Sequence, residues 1–284
     1  MITVDRNADG LLELTAELVA PVIYLDHWAL VEFSNSDDYR EKFITALKET
    51  SGTLLLSQAN FFETAGFQDN DQALRIESLL NEAIPNVYVA DFLKDPGFLF
   101  THGGPQSEDS PEKHWLARHM LNAAAKNHGK LTFSTMFTEV VAQNSMFAPM
   151  FQDMKAGVAG AVASFRIDPL RLDEGKKFTP REEMSAQHLL MAALLRDTQI
   201  NANQNFSEND SMDFIHAVPA AIRSDFVLLD KSWCNRLDRA EKYISENGVT
   251  KKFAKRYWGN PQKLDDFFVD LNNFKTRPQR QMKK

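Results

Sequence analysis

The sequence predicts an α/β protein built on a parallel sheet. Uninterrupted apolar runs, which are typical of strands buried on both faces, occur at 22–25, 53–56, 87–90 and 226–229. The first three runs alternate with segments of helical periodicity, and this alternation predicts βαβ units. We therefore expect a parallel sheet that is covered by helices.

Amphipathic helices are predicted between the runs, at 38–50, 58–66 and 71–84. A Gly-, Pro- and Ser-rich loop follows at roughly 94–111, and after it the periodicity changes. Segments 112–128, 136–164 and 181–200 read as helices with no strand between them, and another helix is predicted at 210–223.

This pattern predicts three parts. Residues 1–111 and 201–240 would form the α/β domain, and residues 112–200 a large helical insertion or cap. Residues 241–284 would form a helical, basic C-terminal extension.

Composition limits the class of protein. With 284 residues of which 43% are apolar, the chain can bury one large core, or a core plus a subdomain. A single cysteine, Cys234, excludes an internal disulfide framework and favours a reducing compartment. The N-terminal residues lack the pattern of a signal peptide, and no apolar run approaches the roughly 20 residues that span a bilayer. We expect a cytoplasmic protein without membrane association.

The charge is unevenly distributed. The chain carries a net charge of −7, but residues 251–284 hold ten Lys and Arg against three Asp. A basic end on an acidic body can contact phosphates, or it can be only a solvated terminus. Lys255, Arg256 and Trp258 in this region are candidate substrate-binding residues, because cations between aromatics suit single-stranded nucleic acid. The alternative is an amphipathic helix that packs its aromatics on the body.

Acidic residues follow three of the predicted strands: Asp26, Asp91 and Asp230. The carboxyl ends of parallel strands meet at one edge of the sheet, where such folds place their sites. The alternative role for each acid is to cap the following helix. Glu63, one turn into a helix, would lie at the same edge, and so would Asp210 and Asp213, whose i, i+3 spacing places them on one helix face.

Carboxylates crowded in this way raise each other's pKa, and a divalent cation removes the repulsion. Oxygen-only ligands favour Mg²⁺ or Mn²⁺ over zinc, and the histidines and Cys234 show no zinc-site spacing. Such sites commonly act on phosphate esters, for which no nucleophilic side chain is required. The sequence contains no GxSxG elbow, Cys–His pair or P-loop.

Three segments together resemble PIN-domain nucleases: VIYLDHWAL, SQANFFETAGF and NDSMDFIHAVPAAIRSDFVLLDKSW. The resemblance covers roughly 21–91 and 205–240, and its last segment is the most specific. It assigns Asp26, Asp210 and Asp230 as metal ligands, supplemented by Asp213, while Glu63 would hold a metal-activated water or a second ion. All five acids are then catalytic residues.

The resemblance implies a Mg²⁺- or Mn²⁺-dependent endoribonuclease, since many members act on RNA and are toxins of toxin–antitoxin pairs or serve in defence. Here His27 and Trp28 stand where the family often has Thr or Ser, and they would either pack or stack on a base. His27 and Lys231 are therefore further candidate substrate-binding residues. The helical insertion would select substrate or bind a protein inhibitor or partner.

The sequence leaves two other interpretations open. A haloacid-dehalogenase-type phosphatase also begins with a strand-end Asp, but it requires a second acid two residues later, where Trp28 stands. A catalytically inactive PIN-like scaffold that binds RNA or a protein partner would show no metal affinity while retaining that binding.

Overall fold

A computed structural model describes residues 1–64, 70–90, 115–201 and 206–274. It contains a two-stranded antiparallel hairpin and a five-stranded parallel sheet. The strands are β1 (Ile2–Arg6), β2 (Leu12–Ala16), β3 (Val22–Leu25), β4 (Thr53–Ser57), β5 (Val87–Ala90), β6 (Phe226–Leu228) and β7 (Lys255–Tyr257). The sheet has the order β5-β4-β3-β6-β7, so β3 is central. The predicted α/β class with a parallel sheet is confirmed.

Helices cover both faces of this sheet. They are α1 (His27–Asn35), α2 (Asp37–Glu49), α3 (Gln58–Thr64), α4 (Asn70–Ala83), α5 (Trp115–Lys126), α6 (Met136–Ala142), α7 (Asn144–Ile167), α8 (Pro169–Lys177), α9 (Ala186–Ile200), α10 (Glu208–Arg223), α11 (Lys231–Glu246) and α12 (Pro261–Asn272). None of these described helices is both long and apolar enough to cross a membrane.

The central strands place alternate side chains into two separate cores. Ile23 and Leu25 of β3 point into the core formed with α1, α2, α4 and α12. Val22 and Tyr24 point into the opposite core, formed with α9, α10 and α11. The strand alternation of period two explains why these runs are apolar without interruption.

The strand β7 corrects the prediction of a wholly helical C-terminal extension. Residues 255–257 pair in parallel with β6, with Tyr257 opposite Leu228. The main-chain N–H of Lys255 donates to Asp225, and the N–H of Leu229 donates to Tyr257. Pairing with the neighbour, rather than local apolar pattern, makes these residues a strand, and a short charged strand is typical of a sheet edge.

The hairpin of β1 and β2 had no counterpart among the predicted elements, because residues 1–20 carry no long apolar run. Its turn contains Gly10 at φ 77°, a left-handed conformation that glycine adopts without strain.

The segment 112–200 contains helices and no strand in its described part, 115–200, as predicted. Helix α6 packs on α4 and α3, α7 packs on α10, and α9 packs on α11. These helices therefore lie directly against the ones that hold the sheet-edge acids. The strand-end acid Asp91 lies outside the described residues.

Candidate metal centre

Two of the predicted acids follow adjacent strands. Asp26 follows β3 and Asp230 comes two residues after β6, and the register pairs Leu25 with Leu228. Each acid also caps the next helix: Asp26 Oδ1 accepts the His27 N–H at 2.8 Å, and Asp230 Oδ1 accepts the Trp233 N–H at 2.9 Å. The capping role is therefore observed for both acids, and it does not exclude a second role, because a cap requires only one carboxylate oxygen.

Helices α3 and α10 bring two further acids to this edge. Glu63 lies near the end of α3 with its side chain 18% exposed, and its charge interacts with those of Asp26 and Asp213. Asp213 lies in the second turn of α10, where its charge interacts with those of Asp26, Asp230 and Asp210. Residues that are far apart in sequence thus form one acidic cluster at the carboxyl edge of the sheet.

Asp210 has a different environment, although it lies on the same helix. Its Oδ2 accepts the backbone N–H of Ser207 at 2.7 Å and the hydroxyl at 2.8 Å, which completes a capping box. Its Oδ1 accepts a guanidinium N–H of the buried Arg236 at 3.0 Å. Both oxygens of this predicted ligand are therefore already engaged.

His216 also belongs to the cluster, although the sequence pattern did not predict it as a ligand. Its Nδ1 lies 3.1 Å from the Tyr24 hydroxyl and 3.6 Å from Asp26 Oδ1. Its Nε2 lies 3.7 Å from Glu63 Oε1. The signal was present in the sequence, because Asp213 and His216 have the same i, i+3 spacing as Asp210 and Asp213.

The structure places Asp26, Glu63 and His216 close enough to hold one metal ion. One ligand atom from each lies within 4.8 Å of the others. Two buried atoms, Glu63 Oε2 and His216 Nε2, have no hydrogen-bond partner among the described residues. Buried polar atoms are normally paired, so unpaired atoms on two side chains that approach within 3.7 Å fit a cation bound beside them. Asp213 and Asp230 lie outside this group of three.

His216 adds a nitrogen to a ligand set that had been expected to contain only oxygen. If Nδ1–H donates to the Tyr24 hydroxyl, the Nε2 lone pair is free to bind a cation. Burial lowers the pKa of His216 to about 3, with smaller contributions from His27 and Lys155. The imidazole is therefore neutral at physiological pH, as a metal ligand must be.

Three acids of the cluster, Asp26, Glu63 and Asp213, resist ionisation. Burial raises the pKa of Asp26 to about 7; the His27 N–H opposes that rise, and the charge of Asp230 adds to it. The pKa of Asp213 rises to about 8, first through burial and then through Asp26 and Asp230. Burial also raises the pKa of Glu63 well above its usual value, and Asp26 and Asp213 raise it further. Desolvation is the main cause, and the mutual repulsion expected from the sequence comes second.

Lys155 brings a positive charge to the cluster from the helical segment. It lies on α7, donates to Asn209 Oδ1 at 3.2 Å, and its charge lowers the pKa of Glu63 and His216. No motif marked this lysine in the sequence, because its position depends on how α7 packs against α10.

The predicted substrate-binding residues divide into two groups. Lys231 and Trp258 line a cleft beside Asp230, and His27 lies at the start of α1, where burial lowers its pKa to about 4. Lys255 instead forms an ion pair with Asp270, and Arg256 pairs with Asp238 at 2.6 Å and with Glu241. The charges of Lys255 and Arg256 are thus compensated within the fold.

Comparison with known proteins adds no family assignment. No family model, curated protein or solved structure matches this chain. The likeness to PIN-domain nucleases therefore rests on the three sequence segments and on the acids that the fold brings together.

Proposed function

We propose that this protein is a metal-dependent endoribonuclease of the PIN-like type. The observation that carries the proposal is the buried cluster of Asp26, Glu63 and His216, with Asp213 and Asp230 beside it. Acids with raised pKa values that converge on the carboxyl edge of a parallel sheet are typical of a functional site.

The side chains of the cluster would have different roles in binding the cation and the substrate. Asp26, Glu63 and His216 would hold the cation, and Asp213 and Asp230 would add negative charge around it. A divalent cation in such a site activates water and offsets the charge that builds on a phosphate during hydrolysis. Lys155 would orient the substrate phosphate, because its ammonium forms no ion pair among the described residues and its charge acts on Glu63 and His216.

The ligand set bears on which of the two predicted ions would bind. Carboxylates suit both Mg²⁺ and Mn²⁺, whereas imidazole nitrogen is a poor ligand for Mg²⁺. A site with His216 among its ligands therefore favours Mn²⁺. RNA is the proposed substrate, and a role as a toxin or defence nuclease with a protein inhibitor belongs to the same proposal.

The test is cleavage of labelled RNAs and single-stranded DNAs with Mg²⁺, with Mn²⁺ and with EDTA. We expect cleavage of RNA that requires the metal and is lost in Asp26→Asn. The matched control is Asp168→Asn, because Asp168 also caps a helix but lies far from the cluster in sequence and is exposed. Metal-dependent cleavage that survives in Asp26→Asn contradicts the proposal.

One observation favours a second candidate, an inactive scaffold that binds RNA or a protein partner. Asp210, which the family resemblance assigns to the metal, is held by Ser207 and Arg236. An inactive scaffold predicts no Mn²⁺ binding by calorimetry together with retained RNA or protein binding. Measurable Mn²⁺ binding that Asp26→Asn abolishes excludes it.

A further inference from the structure

A cleft opens at the same sheet edge, next to the candidate metal centre. It measures about 370 Å³ and is lined by Trp28, Asp230, Lys231, Trp258, Gly259 and Asn260. This volume lies within the range of small-molecule sites. Asp230 belongs to both the cleft and the acidic cluster, so a group bound in the cleft lies beside the metal centre.

Three neighbouring strands supply the lining. Trp28 lies in the first turn of α1 after β3, Asp230 and Lys231 follow β6, and Trp258 directly follows β7. Because β6 lies between β3 and β7, the two tryptophans flank the residues that come from β6. The cleft is therefore a consequence of the sheet order, and it exists only because residues 255–257 form a strand.

Gly259 allows the two sides of the cleft to approach. A Cβ at this position would lie 3.3 Å from the Trp28 ring, closer than most real contacts of that kind. The absence of a side chain lets the indole of Trp28 lie against the backbone that carries Trp258.

The chemistry of the lining suits one nucleotide. Indole rings stack on bases, and such stacking is tolerant of sequence because every base has a π-face. Lys231 is exposed and has no ion-pair partner among the described residues, so it is free to bind a phosphate. Lys263 also lies here, with its Nζ 5.2 Å from the centre of the Trp258 ring, but its charge is paired with Asp266 at 3.2 Å, so Lys231 is the cation available to a ligand. Asn260 offers an amide that can pair with a base edge.

We propose that this cleft binds one base of single-stranded RNA, next to the phosphate that is cleaved, an inference that rests on the proposed function. Trp28 and Trp258 hold the base, Lys231 holds an adjoining phosphate, and Asp230 connects the cleft to the metal centre. A cation and an amide next to aromatic rings fit a nucleotide better than an apolar peptide, which would leave them unpaired.

The first test measures binding without cleavage. Fluorescence anisotropy of a labelled single-stranded RNA is followed in EDTA, in an Asp26→Asn background. We expect Trp258→Ala to raise Kd by about tenfold or more, and Trp258→Phe to keep Kd within about threefold because an aromatic face remains. Lys231→Ala should raise Kd and flatten its salt dependence. The matched control is Lys242→Ala, an exposed lysine on the same helix α11. An unchanged Kd in Trp258→Ala contradicts the proposal that the cleft binds a base.

A second measurement needs no mutation and guards against misfolding of the tryptophan variants. RNA that carries 5-iodouridine is photo-crosslinked to the wild-type protein, and the attached residues are mapped by mass spectrometry. We expect crosslinks at Trp28 or Trp258, and crosslinks only elsewhere overturn the proposal. Metal-dependent cleavage without these crosslinks supports the nuclease proposal and contradicts base binding in the cleft. Crosslinks without cleavage support base binding in the cleft and contradict the nuclease proposal.

Discussion

Asp210 and Asp213 lie one turn apart on α10, in opposite electrostatic environments. Asp210 is fully satisfied, by the Ser207 N–H and hydroxyl on one oxygen and by Arg236 on the other. Burial first, and then the charges of Asp26 and Asp230, raise the pKa of Asp213 to about 8, although a hydrogen bond from the Trp233 side chain opposes the rise. Two identical side chains at i, i+3 therefore have different roles. Asp210 stabilises the fold, whereas the ionised form of Asp213 is energetically unfavourable.

The difference shows where the fold tolerates unfavourable charge. Structural acids such as Asp210 gain partners, because a buried unpaired charge is destabilising. Acids of a functional site can remain without such partners when a ligand offsets their charge. Asp210 is therefore a structural residue and Asp213 a candidate site residue. Mutation of either acid tests this distinction.

The largest effect on stability is expected from mutation of Asp210, whose carboxylate oxygens have hydrogen-bond partners within the fold. Asp210→Ala leaves Arg236 buried without its partner, which should lower the free energy of unfolding by about 3 kcal/mol or more. Urea unfolding measures this. The control is Glu246→Ala, which removes an ion pair whose two side chains are well exposed (Lys242 73%, Glu246 60%), and there the loss should stay below about 1 kcal/mol. Equal losses in the two variants contradict the structural role of Asp210.

On the other side of the comparison, Asp213→Asn should weaken Mn²⁺ binding and metal-dependent RNA cleavage. The substitution removes a negative charge near the cation, and we expect the Mn²⁺ affinity and the cleavage rate each to decrease by about 10- to 100-fold. Calorimetry and cleavage rates measure the two quantities separately. A normal Mn²⁺ affinity in this variant would place Asp213 outside the site.

The metal-free protein should lose stability as the pH rises. Asp26 and Asp213 have folded pKa values of about 7 and 8, above the 3.8 of unfolded aspartate. The folded state therefore binds more protons, and the stability present below the unfolded pKa is lost as the pH rises through the folded values. We expect the unfolding free energy in EDTA to fall by about 2 kcal/mol between pH 6 and 9, because a loss of about 4 kcal/mol from the two acids is partly offset by His27 and His216, whose pKa values are lowered to about 4 and 3.

Two additions sharpen this pH test. Asp213→Asn should reduce the slope, because its side chain no longer titrates. Mn²⁺ should reverse the trend, since it binds the ionised carboxylates more tightly as the pH rises. A stability that is flat in EDTA between pH 6 and 9 contradicts the raised pKa values.

The smallest effect concerns the choice of metal. His216→Asn removes the imidazole nitrogen, so it should weaken Mn²⁺ binding by about tenfold and Mg²⁺ binding less. Competition calorimetry with the two ions gives the ratio. A loss of equal size for both ions indicates that His216 positions Glu63 and Asp26 without contacting the metal.

Local pattern was enough to predict the strands of the sheet interior. Ile23, Leu54 and Val227 lie in runs that are apolar without interruption, because both sides of each strand are buried. The strand β7 could not be predicted in this way. Lys255 and Arg256 carry no strand pattern, and their conformation depends on pairing with β6, which is a contact between distant parts of the chain.

The candidate site shows the same limit. The sequence brought Asp26, Glu63, Asp213 and Asp230 to one edge through strand ends and helix spacing. It could not show that Arg236, 26 residues along the chain, engages Asp210, or that Lys155 approaches from another helix. Those contacts depend on tertiary packing. His216 was within reach of the helix spacing argument but was not considered as a ligand.

The central position of β3 has a consequence for how the protein is made. Asp26 lies near the start of the chain, but the strand that pairs with β3 on one side, β6, is synthesised about 200 residues later, as their contacts show. A nascent chain on the ribosome therefore cannot assemble the acidic cluster until α10 and β6 have been translated. A product of premature termination or of proteolysis before α10 retains Asp26 and Glu63 but lacks His216, Asp213 and Asp230. A fragment that ends before α10 therefore cannot form the complete centre.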